Sequence, residues 1–158
     1  MCERLLILVV EDHIGVQAII ERGVATIRAA FPDSEVRHRA SLADAMLVLA
    51  EHPRPDAVVL DLALSDSTTQ QTIARLHEID ALSPVVVITG MATPEEIEMV
   101  KKLGIEVIVK STGFLGWLEA AIVRAAIRGM NRRENVLREC IKRMEVIVPK
   151  LTSSHVSP

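Results

Sequence analysis

An open α/β fold, a doubly wound five-stranded parallel sheet with helices on both faces, is predicted by three features of this 158-residue chain. Short apolar runs of strand length alternate with longer stretches of helical period. Four of the runs are apolar almost throughout, as strands covered on both faces are. Each of the four ends in a polar or charged residue, at the edge where ligands sit in an open parallel sheet.

The elements follow in order. Leu5-Leu6-Ile7-Leu8-Val9-Val10 reads as a first strand and ends in Glu11-Asp12. Val16 to Ala30 is helical, with Ile19, Ile20, Val24 and Ile27 on one face, and Phe31-Pro32-Asp33-Ser34 breaks it. Val36, His38 and Ala40 alternate with Arg37 and Arg39, the pattern of a short strand near a sheet edge. Ser41-Leu42-Ala43-Asp44 is a helix start, and the helix should run to about Glu51 before His52-Pro53-Arg54-Pro55 ends it.

Ala57-Val58-Val59-Leu60 forms the third strand and ends in Asp61. A loop from Leu62 to Asp66 leads to a helix with Ile73, Leu76 and Ile79 inward. Pro84-Val85-Val86-Val87-Ile88 ends in Thr89-Gly90. Thr93-Pro94-Glu95-Glu96 then opens a helix with a capping threonine, a proline in the first turn and an acid at the third position. Lys102-Leu103-Gly104 stops that helix, and Ile105 to Val109, broken only by Glu106, ends in Lys110. From Thr112 a long helical segment should run to about Met130, so βα is repeated five times.

Past this unit, expected over residues 4–128, a basic amphipathic helical extension is expected over 131–148. Leu137, Cys140, Met144 and Ile147 form a narrow apolar seam among Arg132, Arg133, Arg138, Lys142 and Arg143. Pro149 is expected to end it, with a disordered tail over 149–158. The seam has three uses: packing back on the domain, pairing in a homodimer, or leading to a further domain. The basic face reads as solvated, and without a helix-turn-helix direct DNA binding is not expected.

Composition sets outer limits. Half the residues are apolar (49%) and a quarter charged (25%), enough for a globular core. Phe31, Phe114 and Trp117 are the only aromatics, which leaves little for stacking on nucleic-acid bases. Residues 1–110 carry 10 Lys/Arg against 17 Asp/Glu, a net of −7, and residues 111–158 carry 8 against 4, a net of +4. An acidic body with a basic extension suggests a partner or partner strand for the extension, though it falls short of a nucleic-acid footprint. Two cysteines, Cys2 and Cys140, form neither a disulfide framework nor a zinc pattern, which fits a cytoplasmic setting. The apolar N-terminus is too short to span a membrane, so no membrane partner is expected.

Glu11, Asp12, Asp61, Thr89 and Lys110 all sit at strand ends that a doubly wound sheet brings into one crevice. Facing carboxylates repel unless a cation lies between them, and a hard divalent ion bound through oxygen, magnesium above all, resolves the conflict. With a hydroxyl and an ammonium added, the group describes a site for a phosphoryl group in line with an attacking carboxylate oxygen. His13, beside the acidic pair, reads as a loop or helix-start residue because magnesium prefers oxygen. His38, His52, His77 and His155 show no ligand spacing.

On these residues the chain resembles the receiver domain of bacterial two-component response regulators, of which the single-domain chemotaxis regulator is the familiar example. Val9-Val10-Glu11-Asp12 matches the acidic pair and Asp56-Ala57-Val58-Val59-Leu60-Asp61-Leu62 the phosphoacceptor strand. Val86-Val87-Ile88-Thr89-Gly90 matches the hydroxyl-bearing strand and Val107-Ile108-Val109-Lys110 the lysine strand. The resemblance implies a flavodoxin-like receiver fold and a role in two-component phosphorelay signal transduction. Asp61 would take a phosphoryl group from a sensor histidine kinase or a histidine phosphotransfer protein and become an aspartyl phosphate. It implies Mg²⁺ held by Glu11, Asp12, Asp61 and the backbone carbonyl of Ala63, with Lys110 and Thr89 on the phosphoryl oxygens. The phosphoprotein would signal through contacts with a downstream protein. It would be no enzyme beyond its own phosphoryl transfer and dephosphorylation.

Three positions depart from the family. Val107 stands where an aromatic residue usually reports the hydroxyl's movement. Ser111 follows the lysine where a cis proline is usual, which predicts either a trans bond with a reshaped loop or stored strain. The loop after Asp61 has Ser65 and Asp66-Ser67-Thr68 in place of a proline and a glycine, which suggests more mobility. Ala63 and Met91 are expected to flank the path of attacking water and to set the lifetime of the phosphorylated state. The alternative reading is a receiver-like interaction or dimerisation module that does not use phosphate, favoured by Val107 and Ser111. A phosphatase of the haloacid dehalogenase type is a poor fit, since it needs a second aspartate where this chain has Ala63.

Overall fold

The computed structural model describes residues 4–153, and the side chains of residues 4–143. Ten elements alternate: β1 Leu6–Val10, α1 Ile14–Ala30, β2 Glu35–Arg39, α2 Leu42–Ala50 and β3 Ala57–Asp61 come first. α3 Thr69–Leu82, β4 Val85–Thr89, α4 Pro94–Lys102, β5 Glu106–Val109 and α5 Phe114–Ser153 follow. The five strands are parallel in the order β2-β1-β3-β4-β5. This is the doubly wound, flavodoxin-like order, and its chain reversal lies between β1 and β3.

The strand period of two divides the core cleanly. Leu8, Val10, Val58, Leu60, Val85 and Val87 face α2, α3 and α4, meeting Leu49, Leu76, Ile79 and Val100. Ile7, Val9, Val59, Val86, Ile88 and Ile108 face α1 and α5, meeting Ile20, Val24, Leu118 and Ile122. Fully burying each such aliphatic side chain stabilises by about 1.5–3 kcal/mol. β2 lies at the edge and is half-buried along its length, as its alternating charges predict. Ile19 is also only half-buried, because the buried stripe of α1 runs through Ile20, Gly23, Val24 and Ile27.

Capping residues set the helix starts. Thr93 Oγ1 accepts from Glu96 N while the Glu96 carboxylate accepts from Thr93 N, closing a capping box on α4, and Thr68 and Gln71 do the same on α3. α4 ends at Lys102 and is followed, after Leu103, by Gly104, whose φ of +76° is open to glycine and strained for other residues. α2 is capped from two places. Ser41 Oγ accepts from Asp44 N, and the Asp66 carboxylate accepts from Leu42 N and Ala43 N, each at 3.0 Å.

Helix α5 differs from the expected boundary. It starts at Phe114, runs past Met130 without a break and reaches Ser153, so Pro149 falls inside its bounds. Residues 131–148 are thus the distal half of one helix rather than a separate element. Of the tail expected over 149–158, residues 154–158 lie outside the described residues, as do the side chains of Met144 and Ile147 in the expected seam. What carries the helix over 130 is anchoring from the domain: Arg132 bonds the Asp80 carboxylate at 2.9 Å, and Arg133 pairs with Asp56.

Candidate phosphoryl site

The C-terminal ends of β1, β3, β4 and β5 gather the five expected side chains. Asp61 closes the central strand and is only 3% exposed, and Glu11, just past β1, is 1% exposed. Lys110 follows β5 and reaches across, its Nζ donating to Glu11 Oε2 at 2.6 Å and to Asp61 Oδ2 at 2.6 Å. Asp12 is partly exposed, and its Oδ2 accepts from Ser65 N at 2.9 Å. Ligand oxygens of Glu11, Asp12 and Asp61 lie within 4.8 Å of one another.

Backbone bonds hold this cluster in place. Asp61 Oδ1 accepts from Ala63 N at 3.1 Å, and Glu11 Oε1 accepts from His13 N at 3.0 Å. Gln17 Nε2 donates to the Glu11 carbonyl. Thr89 is buried at the end of β4, where its Oγ1 accepts from Ala92 N at 3.0 Å and Met91 N at 3.4 Å. Both contacts use oxygen lone pairs and leave the hydroxyl hydrogen available. Gly90 next to it keeps the approach open, since even a Cβ there would reach only the Lys110 Cδ, at 3.8 Å.

Electrostatics here follow from burial. Loss of water pushes the Glu11 carboxyl above its ordinary range, and the bond from Lys110 offsets this in part. Burial pulls on the Lys110 ammonium in the other direction, but its bonds to Asp61 and Glu11 win and hold it above the ordinary lysine value. One ammonium thus serves two buried carboxylates, and a third carboxylate stands beside them. The donor set is all oxygen, crowded and negative, and it fits a hard divalent cation. The His13 imidazole takes no part: His13 is the exposed N-cap of α1, its Nδ1 accepting from Val16 N at 3.4 Å.

The departures have structural answers. Among the described residues the single cis peptide bond is His52–Pro53, so the bond from Lys110 to Ser111 is trans. Val107 is half-buried and packs with the α4-side core. The loop after Asp61 is tied at several points instead of resting on a proline. Ser65 N bonds Asp12, Asp66 caps α2, and Ser67 Oγ meets Thr72 Oγ1 at 2.7 Å. Burial would raise the Asp66 carboxyl, but the bonds from Leu42 N and Ala43 N hold it below the usual aspartate range. The strand-end pattern misses Asp66 because its target lies 24 residues upstream. The only sequence signal is an acid in a loop beside a capped helix.

The profile of the family described as response regulator receiver domain matches residues 7–114. No curated protein sequence matches the chain. Among solved structures, a CheY-like response regulator receiver domain protein from Methanospirillum hungatei is 19% identical, with a TM-score of 0.62 over 81% of this chain and 98% of that one. The phosphorylated cyanobacterial phytochrome response regulator RcpA is 24% identical, with a TM-score of 0.59 over 75% of this chain and 89% of that one. The Mn²⁺-bound form of the response regulator Rcp1 is 20% identical, with a TM-score of 0.61 over 73% of this chain and 90% of that one. At these identities the structures speak for the fold alone, while the profile covers the strands and the site together. The chain belongs to the response regulator receiver domain family.

Proposed function

We propose that this chain is a phosphoacceptor switch in two-component phosphorelay signalling, with Asp61 as the residue phosphorylated. One observation carries the reading: a buried carboxylate at the end of the central strand has two further carboxylates within 4.8 Å and an ammonium at 2.6 Å. An Asp61 oxygen attacks the phosphorus of a phosphohistidine on a sensor kinase or phosphotransfer protein. The P–N bond breaks, the imidazole takes up a proton, and an acyl phosphate remains on Asp61. Lys110 moves from carboxylate to phosphoryl oxygen, and the free hydrogen of Thr89 Oγ1 becomes a donor to a second phosphoryl oxygen.

The oxygen donors fit Mg²⁺, which Glu11, Asp12, Asp61 and the Ala63 carbonyl would hold. When bound, the ion supplies positive charge against the phosphoryl oxygens. The Mn²⁺-bound Rcp1 and the phosphorylated RcpA, which share this fold, support the reading. Ala63 and Met91 are both exposed beside the site and would set how readily water reaches the acyl phosphate. The chain would act on no separate substrate and would signal in the cytoplasm through a downstream protein. Among the described residues no helix is long and apolar enough to cross a membrane.

The test is incubation with Mg²⁺ and acetyl phosphate, followed by intact-mass measurement. One phosphoryl group should appear on the wild type, none without Mg²⁺, and none on Asp61→Asn. An unmodified wild type, or an Asp61→Asn variant modified equally, would overturn the proposal in favour of a module that does not use phosphate.

A further inference from the structure

The inward face of α5 does not stop where the domain does. Leu118, Ile122 and Ala126 pack on the sheet, and Gly129 continues the face at very close range. A Cβ at Gly129 would stand 2.9 Å from the Asp56 carbonyl oxygen and 3.3 Å from Pro84 Cγ. Seven and eleven residues past Gly129, Val136 and Cys140 return to the same side of the helix, with Leu137 beside them. Here the sheet has ended, and Val136 is 64% and Leu137 60% exposed, with Ile141 adjoining.

A groove of about 520 Å³ lies between this face and the loops at the N-terminal end of the sheet. Pro53, Arg54, Leu82, Pro84, Leu137 and Cys140 are among its walls. The cations around it are not equivalent. Arg132 is paired with Asp80 and Arg133 with Asp56, whereas among the described residues Arg54 Nε is buried without a hydrogen-bond partner. A buried donor of this kind asks for an acceptor. The groove therefore fits an apolar segment that carries one carboxylate.

We propose that the occupant is a second copy of this chain, the distal half of its α5 lying antiparallel in the groove. In the segment Met144-Glu145-Val146-Ile147-Val148, helical spacing puts Met144, Ile147 and Val148 on one face with Glu145 at its edge, three apolar residues and one carboxylate, the chemistry that the walls and Arg54 require. An antiparallel course brings the distal residues of one helix back to the groove at the base of the other. A parallel course carries them away from it. Ridge and groove are present on every chain, so the exchange is reciprocal and closes at two subunits. The flanking charges do not oppose it, because Glu134–Arg138 and Glu139–Arg143 pair within the helix and leave Val136, Leu137, Cys140 and Ile141 as an uncharged face.

Sedimentation equilibrium of the unphosphorylated, metal-free full chain tests this without reference to the phosphoryl site. The wild type should reach twice the 17.3 kDa monomer mass as concentration rises. Leu137→Glu, at an exposed position where the fold is kept, should stay monomeric with an unchanged circular dichroism spectrum. Arg54→Glu and Glu145→Arg should each weaken association by about tenfold or more, and the double variant should recover it. A wild type monomeric at every concentration overturns the proposal and leaves the groove to a different acidic partner. A dimer untouched by Leu137→Glu, or single-variant losses that the double variant does not repair, overturns it as well.

Discussion

Asp56 and Asp61 bracket β3, both nearly devoid of solvent exposure, at 5% and 3%. Their partners separate them. Asp56 Oδ2 accepts from Leu6 N at 2.8 Å and its Oδ1 meets the Arg133 guanidinium, so its charge is consumed in joining β1, β3 and α5. Asp61 shares one ammonium with Glu11 and stands beside Asp12, so its end of the strand holds more negative charge than it neutralises. A buried carboxylate reads as structural when its neighbours satisfy it and as chemical when they leave a deficit of positive charge.

Exchanging the two residues separately would break this contrast most directly. Asp61→Asn should lose all Mg²⁺-dependent uptake from acetyl phosphate while its melting curve stays cooperative. Asp56→Asn should keep that uptake, and if it too lost modification the division between the two ends would fail. Lys110→Ala comes next. It removes the ammonium that meets the incoming phosphoryl oxygens and should slow uptake about a hundredfold in single-turnover mass measurements.

The remaining effects lie in stability. Asp56→Ala leaves the Leu6 N–H without its acceptor and Arg133 without its partner, and should cost about 2–3 kcal/mol in urea unfolding. Gly129→Ala should cost about 1–2 kcal/mol by the same measurement, since its methyl group meets backbone at 2.9 Å. Asp66→Ala is the smallest, about 0.5–1 kcal/mol for a helix cap on an exposed side chain where solvent screens the charge. Because Asp66 titrates below its ordinary 3.8, its contribution is present above that pH and disappears as pH falls through the folded-state value. The difference in stability between wild type and Asp66→Ala should therefore shrink in acid, and a pH-independent difference would show that the carboxylate's charge is not what caps α2.

Local and distant information explain what was legible in the chain. The strands were readable because burial on both faces makes them continuous apolar runs, and Ser41, Thr68 and Thr93 cap helices within three residues of themselves. The candidate site was readable as a set because Glu11, Asp12, Asp61, Thr89 and Lys110 share one position relative to their strands. Partnerships over long separations were not. Nothing near Asp66 points to Leu42, and nothing near Asp56 points to Arg133, 77 residues on. The boundary expected near Met130 failed for the same reason. Apolar periodicity thins there because the inward positions are Gly129 and Arg133, one chosen for close approach and the other for an ion pair across the fold.

The unbroken course of α5 gives the molecule a mechanical property. Forty residues at 1.5 Å each make a rod of about 60 Å. Its first turn follows Lys110 by only a few residues, its proximal turns pack on the sheet through Leu118, Ile122 and Ala126, and the rest extends beyond it. A rod of that length converts angle into distance, so a tilt of one degree at its root displaces its far end by about 1 Å. On the proposed function, a tilt of α5 at the phosphoryl end too small to break a hydrogen bond would become, at the opposite pole, a stroke as large as an atom's radius.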